Sequence, residues 1–169
     1  MTLIQSLLLH EGLRLKAYPD PESPLAQACR EAGIKAENFK NLSGWSSLSG
    51  APWTIGVGHT DSHIDANTQW TQQQAMDQLN VDIRRAHFLL DAKLPWWNTQ
   101  TPARQDALTE LTFNMGINGL LQFKKMLAAL QAKDWEVAAE ELLASAWDKQ
   151  VGPDRAGYIA GLLRQGQGR

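Results

Sequence analysis

Two carboxylates near the N-terminus, Glu11 in HEGLRLKAYPD and Asp20 nine positions later, bracket a short extended segment. Cleavage of a glycosidic bond calls for such a pair. One carboxyl gives a proton to the leaving oxygen, and the other stays ionised to handle a water or the positive charge developing on the sugar. The two therefore need different surroundings, because only burial or an unfavourable electrostatic setting keeps an acid protonated near neutral pH. Pro19-Asp20-Pro21 makes an exposed turn that suits the ionised member. Each residue also has a plain alternative: Glu11 as a solvated group at a helix end, where negative charge is mildly unfavourable, and Asp20 as a turn former. A second block, WTIGVGHT from Trp53 to Thr60, is a glycine-punctuated strand ending at the His59 imidazole and the Thr60 hydroxyl. No HExxH motif or paired Cys/His spacing accompanies His59, so it reads as structural and no metal centre is expected.

The elements that must position these groups are legible from caps and periodicity. Thr2 caps a helix running to about Gly12, with Leu3, Leu7 and Leu8 on one face. Leu13 to Tyr18 alternates apolar with basic side chains, as a half-exposed strand does, until Pro19 breaks it. Ser23-Pro24 starts a helix over 24–32 that Gly33 stops. Residues 41–52 are rich in Ser and Gly and read as a loop anchored by Trp45 and Leu48. Thr71-Gln72-Gln73-Gln74 fits a capping box, and Ala75, Leu79, Ile83, Ala86 and Leu90 follow at helical spacing, giving a long helix over about 72–92. Thr101-Pro102 begins a helix to about Met115, before Gly116. Helices over 119–131, 135–144 (capped by Asp134) and 153–164 complete the chain.

Composition bounds the class. The chain has 169 residues, enough for one cored domain or two small lobes, and 43% hydrophobic with 20% charged residues is ordinary for a globular protein. Net charge is −2, with 7 basic against 9 acidic residues through Leu90 and 9 against 9 afterwards. No basic face recommends nucleic acid as a partner. The apolar start is interrupted by Gln5 and Ser6 and has no basic leader, so neither a signal peptide nor stable membrane insertion is expected. After Arg155 only Arg164 and Arg169 are basic, too few for a membrane-disrupting helix. The single Cys29 reads as a buried thiol.

Taken in order, EGLRLKAYPD at 11–20, WTIGVGHT at 53–60, LNVDI at 79–83, FNMG at 113–116, KDWEVAAEEL at 133–142 and GPDRAGYIAGLLRQG at 152–166 resemble the phage-type lysozymes, or endolysins. That resemblance spans nearly the whole chain. It implies an α+β, lysozyme-like fold, single-domain over 1–169, with a small lobe carrying a short β-sheet at about 13–70 and a connecting long helix. The all-helical C-terminal lobe, about 93–169, also takes in the N-terminal helix, and the active-site cleft lies between the lobes. By position the family's acid, second carboxylate and strand threonine are Glu11, Asp20 and Thr54, the threonine hydroxyl holding the attacking water of an inverting displacement. Phe113, Asn114 and Met115 match positions facing the saccharide groove. His59 is expected to pair with Asp82 and pin the β lobe to the long helix, and Arg155 to approach Glu11.

The implied activity is hydrolysis of the β-1,4 bond between N-acetylmuramic acid and N-acetylglucosamine in bacterial peptidoglycan, by a monomer needing no cofactor. A lytic transglycosylase on the same bond and a non-catalytic wall-binding module are the alternatives. The resemblance also implies synthesis in the host cytoplasm, holin-assisted export, and action on the cell wall when a phage lyses the cell. Relatives join the equivalents of Asp20 and Trp53 by a handful of residues, whereas here 21–52 intervene. That insertion extends the groove, covers it or decorates the β lobe. Trp135 and Trp147 are expected in the helical core, and Trp96 and Trp97, after a break, partly exposed.

Overall fold

A computed structural model describes residues 1–165, which divide into two compact units, one ending at Val81 and the other beginning at Asp82. Arg169 lies outside the described residues. The fold class is α+β: a three-stranded antiparallel sheet in the first unit, a long helix across the boundary, and helices thereafter.

In the first unit, α1 (Leu3–Glu11) is started by a full capping box. The Thr2 hydroxyl accepts from the Gln5 N–H and the Gln5 side chain accepts from the Thr2 N–H. Gly12 then turns the chain at φ 75° into β1 (Arg14–Pro19). β1 pairs with β2 (Trp53–Gly56), which pairs with β3 (His59–Thr60). Arg14 faces Gly56 and Tyr18 faces Thr54, so three residues of β1, 15–17, stand opposite Ile55 alone. The excess is a bulge, and its backbone bonds elsewhere: Ala17 N–H donates to the Thr68 carbonyl and Trp70 N–H to that of Leu15. The expected half-exposed alternation fails at Leu15 (38% exposed) because the bulge turns the strand there.

The segment 21–52 is an excursion with its own small core. Ser23 caps α2 (Pro24–Glu31) through its hydroxyl, a contact worth about 1 kcal/mol. Leu25, Cys29 and Phe39 are buried together, with Ile34, Leu42, Trp45 and Leu48 packed round them. The Phe39 ring lies 5.2 Å from that of Trp45, edge to face, and 5.1 Å from that of Trp53. Trp53 packs as well on Ala17, Ile55 and Ile64, so one indole joins the excursion to the sheet. The stretch read as loop contains 3-10 turns, Ala36–Asn41 leading into it and Trp45–Ser47 inside it. Trp45 and Leu48 do anchor it.

The long helix α3 spans Gln72–Lys93 behind the expected box, with Thr71 N–H donating to Gln74 Oε1 and Gln74 N–H to Thr71 Oγ1. The second unit continues with α4 (Pro102–Leu120), α5 (Lys124–Gln131), α6 (Trp135–Leu143), α7 (Ala146–Val151) and α8 (Pro153–Gln165) around one core that includes Leu108, Leu111, Leu130, Leu142, Trp147 and Ile159. Trp135 packs on it half-buried. Arg104 is buried, its guanidinium 3.5 Å from the Trp135 ring centroid and its Nε donating to the Leu163 carbonyl near the end of α8.

Gly116 (φ 72°, ψ 163°) leaves helical geometry and ends the first stretch of α4 after Met115 as expected, with one further turn of helix to Leu120 beyond the kink. Two expectations need correction. The expected helix over 119–131 is therefore the tail of α4 plus α5, parted at residues 121–123, where no Gly or Pro advertises a stop. Trp97 is buried, 5% exposed, because its indole N–H finds Asp91 Oδ1 at 2.6 Å and its ring lies against the helical core. Trp96 is half-buried as expected.

Two outcomes follow from these contacts. At Gly56 φ is +67°, and a Cβ there would lie 2.8 Å from a Trp70 ring carbon. Gly56→Ala is expected to cost about 2–3 kcal/mol, left-handed strain plus the clash, read as a lower midpoint in urea. His87, whose Nε2 lies 3.1 Å from Thr109 Oγ1, has its pKa lowered from 6.5 by burial, against the pull of Asp91 and Asp106. Thr109 Oγ1 already donates to the Gln105 carbonyl, so it accepts from a neutral His87. The unfolded chain takes up this proton first, so stability must fall as pH drops below about 6.5 toward the lowered folded value. Melting temperature should decline on acidification from pH 7.5 to 5.5, and His87→Gln, which keeps a donor for Thr109, should flatten that decline. An equally steep decline in the variant would exclude His87 as its source.

Candidate functional site

Thr54 is 8% exposed in the middle of the sheet, and its register partners are Tyr18 on β1 and Thr60 on β3. Directly opposed residues of antiparallel strands project from the same face. Tyr18, Thr54 and Thr60 thus form one row across the sheet. The Tyr18 phenol is held above its ordinary pKa, chiefly by burial, with Arg14 working against this and the charge of Glu11 adding to it. Glu11, Tyr18, Asp20 and Thr54 all belong to the first unit.

Backbone bonds fix Asp20 despite the excursion that follows it. Its N–H donates to the carbonyls of Gly50 and Pro52 at 3.0 and 3.1 Å, immediately ahead of Trp53. The segment 21–52 consequently leaves and returns at one point, and its length does not displace Asp20 from β2. The Asp20 side chain accepts the Glu22 N–H on Oδ1 at 2.8 Å, which orients the carboxylate locally. Ser23 Oγ donates to the Asp20 carbonyl at 2.6 Å and also caps α2, so turn and helix start are one structure. Glu11 is the last residue of α1 and half-buried.

Beside β2 and β3 a groove of about 700 Å³ runs between Ala51, Pro52 and Trp53 on one side and Thr60, Asp61 and Ser62 on the other. Its lining includes Thr60, the cross-strand neighbour of Thr54, and Ala51 and Pro52 from the returning end of the excursion. The Asp61 carboxyl is held below its usual range, first by the His63 N–H at 2.9 Å and then by the His63 ring.

In the second unit, Phe113, Asn114 and Met115 occupy the turn of α4 just ahead of the Gly116 kink. Asn114 is exposed, yet its Oδ1 accepts from the Trp147 indole N–H at 2.8 Å, which fixes which way the amide points. Met115 packs on the helical core. Arg155 is buried in α8, and Asp82 opens the second unit's share of α3, while His59 belongs to β3 of the first unit with its ring 5.6 Å from that of Trp70. Among the described residues no cluster of His, Cys, Asp and Glu has the makings of a metal site, and no helix is long and apolar enough to cross a membrane.

Tyr18 was not singled out from sequence. The available signal was its position near the end of the strand that leads to Asp20.

Residues 32–167 match the family model for phage lysozyme, a range that holds Thr54 and begins after Glu11 and Asp20. Over 161 aligned residues the chain is 33% identical to "Probable T4-type lysozyme 1" of Dictyostelium discoideum, covering 80% of this chain and 90% of that protein. A second protein of that organism, "Probable T4-type lysozyme 2", is 33% identical over 70 residues, 41% of each chain. The pre-baseplate central spike protein Gp5 of Enterobacteria phage T4 is 29% identical over 161 residues, 89% of this chain. This chain spans only about a quarter of that spike protein's own length, 26%. With four-fifths of its length matched by the family model and a 33% identical relative covered over nine-tenths of its length, the chain belongs to the phage lysozyme family.

Proposed function

We propose that this protein hydrolyses the β-1,4 bond between N-acetylmuramic acid and N-acetylglucosamine in bacterial peptidoglycan. One observation carries the reading: the Asp20 N–H is tied to the carbonyls of Gly50 and Pro52, directly ahead of the strand that holds Thr54, while Glu11 ends the helix that leads into the neighbouring strand. In the proposed reaction Glu11 protonates the leaving sugar oxygen. Asp20 stays ionised and, with the Thr54 hydroxyl, holds and activates the water that attacks the anomeric carbon from the opposite face, which inverts its configuration. Phe113, Asn114 and Met115 take part in binding sugar. Arg155 is assigned to the support of Glu11, and His59 with Asp82 to the support of the sheet. Membership of the phage lysozyme family supports the substrate class, and cell lysis late in phage infection, after holin-assisted release to the wall, is the role proposed with it.

Purified sacculi test this directly. The wild-type chain should clear their turbidity, and Glu11→Gln, which keeps shape and loses the proton, should be slower by about 10²–10⁴-fold with an unchanged melting temperature. Undiminished clearing by Glu11→Gln would overturn the assignment of the acid, and sacculus binding without soluble fragments would leave a wall-binding module. Products ending in a reducing muramic acid support hydrolysis, whereas anhydro-muramic ends would mean transglycosylation without water. The anomer formed first, followed by proton NMR, decides inversion.

A further inference from the structure

The groove at the open end of the β2–β3 hairpin has no part in the reaction just proposed. It lies where β2 begins and β3 ends, with Pro52 and Trp53 on one side and Thr60, Asp61 and Ser62 on the other. Its apolar side is held in place. The Trp53 indole, half-buried, packs on Ile55 and Ile64, and its ring lies 5.1 Å from that of Phe39 in the excursion. Gly50 makes room for it, since a Cβ there would come within 2.5 Å of an indole carbon. The opposite side is exposed and rich in acceptors. Asp61 Oδ1 accepts from the His63 N–H at 2.9 Å and lies 2.6 Å from His63 Nδ1. Both contacts use the same oxygen, so they orient the carboxylate and leave Oδ2 to accept from a ligand. Thr60 and Ser62 add hydroxyls that can donate or accept.

An indole facing hydroxyls and a carboxylate is matched by a molecule that is apolar on one face and carries O–H and N–H groups round its edge. A pyranose ring with an acetamido group has that form. An ammonium group would suit Asp61 alone, and the attraction is weakened by the His63 ring on that carboxylate and by His59 nearby. Trp53 precedes Thr54 on β2, so its side chain leaves by the other face of the sheet, and a sugar held on it is not the one being cut. The groove is nonetheless close to the reacting row: Thr60 opposes Thr54, and the Pro52 carbonyl accepts the Asp20 N–H. We propose that this groove is an accessory saccharide site, holding an N-acetylated hexose unit of the glycan away from the scissile bond, with its ring on Trp53 and its hydroxyl or amide groups donating to Asp61 Oδ2. The choice of sugar rests on the hydrolytic reading above. The excursion builds the site, since it supplies Pro52, the Gly50 seat and the Phe39 packing. A second hold on one polymer raises the local concentration of bonds to be cut, and so acts on KM.

Tetra-N-acetylchitotetraose, titrated into the Glu11→Gln protein and followed by NMR, tests it. The Trp53 indole N–H and the backbone N–H groups of residues 60–64 should shift on binding. Asp61→Asn keeps an oxygen for the His63 N–H and turns the second acceptor into a donor, so the Kd read from those shifts should rise by about tenfold. Gly50→Ala, which pushes the indole off its seat, should weaken the same shifts at temperatures well below its own melting point. On sacculi, with Glu11 intact, Asp61→Asn should raise KM about three- to tenfold and leave kcat within about twofold. Shifts confined to residues 113–115, or an unchanged Kd at the groove in Asp61→Asn, would overturn the proposal. A fall in kcat at constant KM would do so too, as would groove shifts produced by a lysine-containing peptide and not by the tetrasaccharide. Clearing of sacculi by Glu11→Gln separates the two levels. If it matches the wild type, the hydrolytic reading falls whatever the groove binds. If Glu11→Gln is inactive and the groove signals do not move, only the accessory site falls.

Discussion

The registration of β1 on β2 is the constraint on which the first unit depends. Tyr18 opposes Thr54 and Arg14 opposes Gly56, so the strand must absorb two extra residues between these pairs. Side chains alternate across a sheet with period two, and a slip by one residue would exchange its faces. Thr54 would then point where Ile55 now lies fully buried on Ala17 and Ile64, and a hydroxyl would be desolvated without a partner. Two features hold the register. Gly56 has the positive φ and the close approach of Trp70 that no side chain would permit. The bulge itself is closed by backbone bonds to residues 68 and 70, which leave residues 15–17 no alternative partner on β2.

The same pairing explains why an excursion of residues 21–52 does not perturb Asp20. A long loop costs little more to close than a short one once its ends are fixed. Here the ends are fixed by the Asp20 N–H on Gly50 and Pro52 and the Leu25 N–H on Ser49. Inside those clamps Leu25, Cys29 and Phe39 are removed from water, each large apolar side chain contributing about 1.5–3 kcal/mol toward ordering the segment. The burial of Cys29 follows from this position and pushes its thiol pKa up, which leaves it a packing residue. Trp53 then transmits the order of the excursion to the sheet, since its two neighbours in β2 and in the small core are Ile55 and Phe39.

What could be read in the sequence was what local chemistry dictates. Thr2 with Gln5, Ser23 with Pro24, Thr71 with Gln74 and Asp134 all cap helices where their side chains predict it, because a cap satisfies donors within three residues of itself. The burial of Trp97 could not be read this way, since its indole needs Asp91 six residues back and a core assembled from distant helices. Nor could the burial of Arg104, whose partners are Trp135 and the carbonyl of Leu163. Gly116 marks the stop its type predicts, with a positive φ outside helical geometry, but the further turn to Leu120 was hidden, since it rests on the burial of Ile117 and Leu120 in a core made by distant helices. For the site, the residue types and order of Glu11, Asp20 and Thr54 were legible, whereas the row joining Tyr18 to Thr54 exists only through pairing across 36 positions.

Asn114, just ahead of the Gly116 kink, shows how an exposed amide is held from inside a unit. An amide that can flip loses entropy on every partner it binds. The Trp147 indole N–H donates to Asn114 Oδ1, and the indole is itself locked in the core at 5% exposure. The amide is therefore oriented by the interior of its own unit, through an aromatic side chain whose ring is held by packing and whose single hydrogen-bonding atom is the donor. An aromatic side chain suits this task because it has only two torsions to restrict, so the group it directs is preorganised with little residual motion.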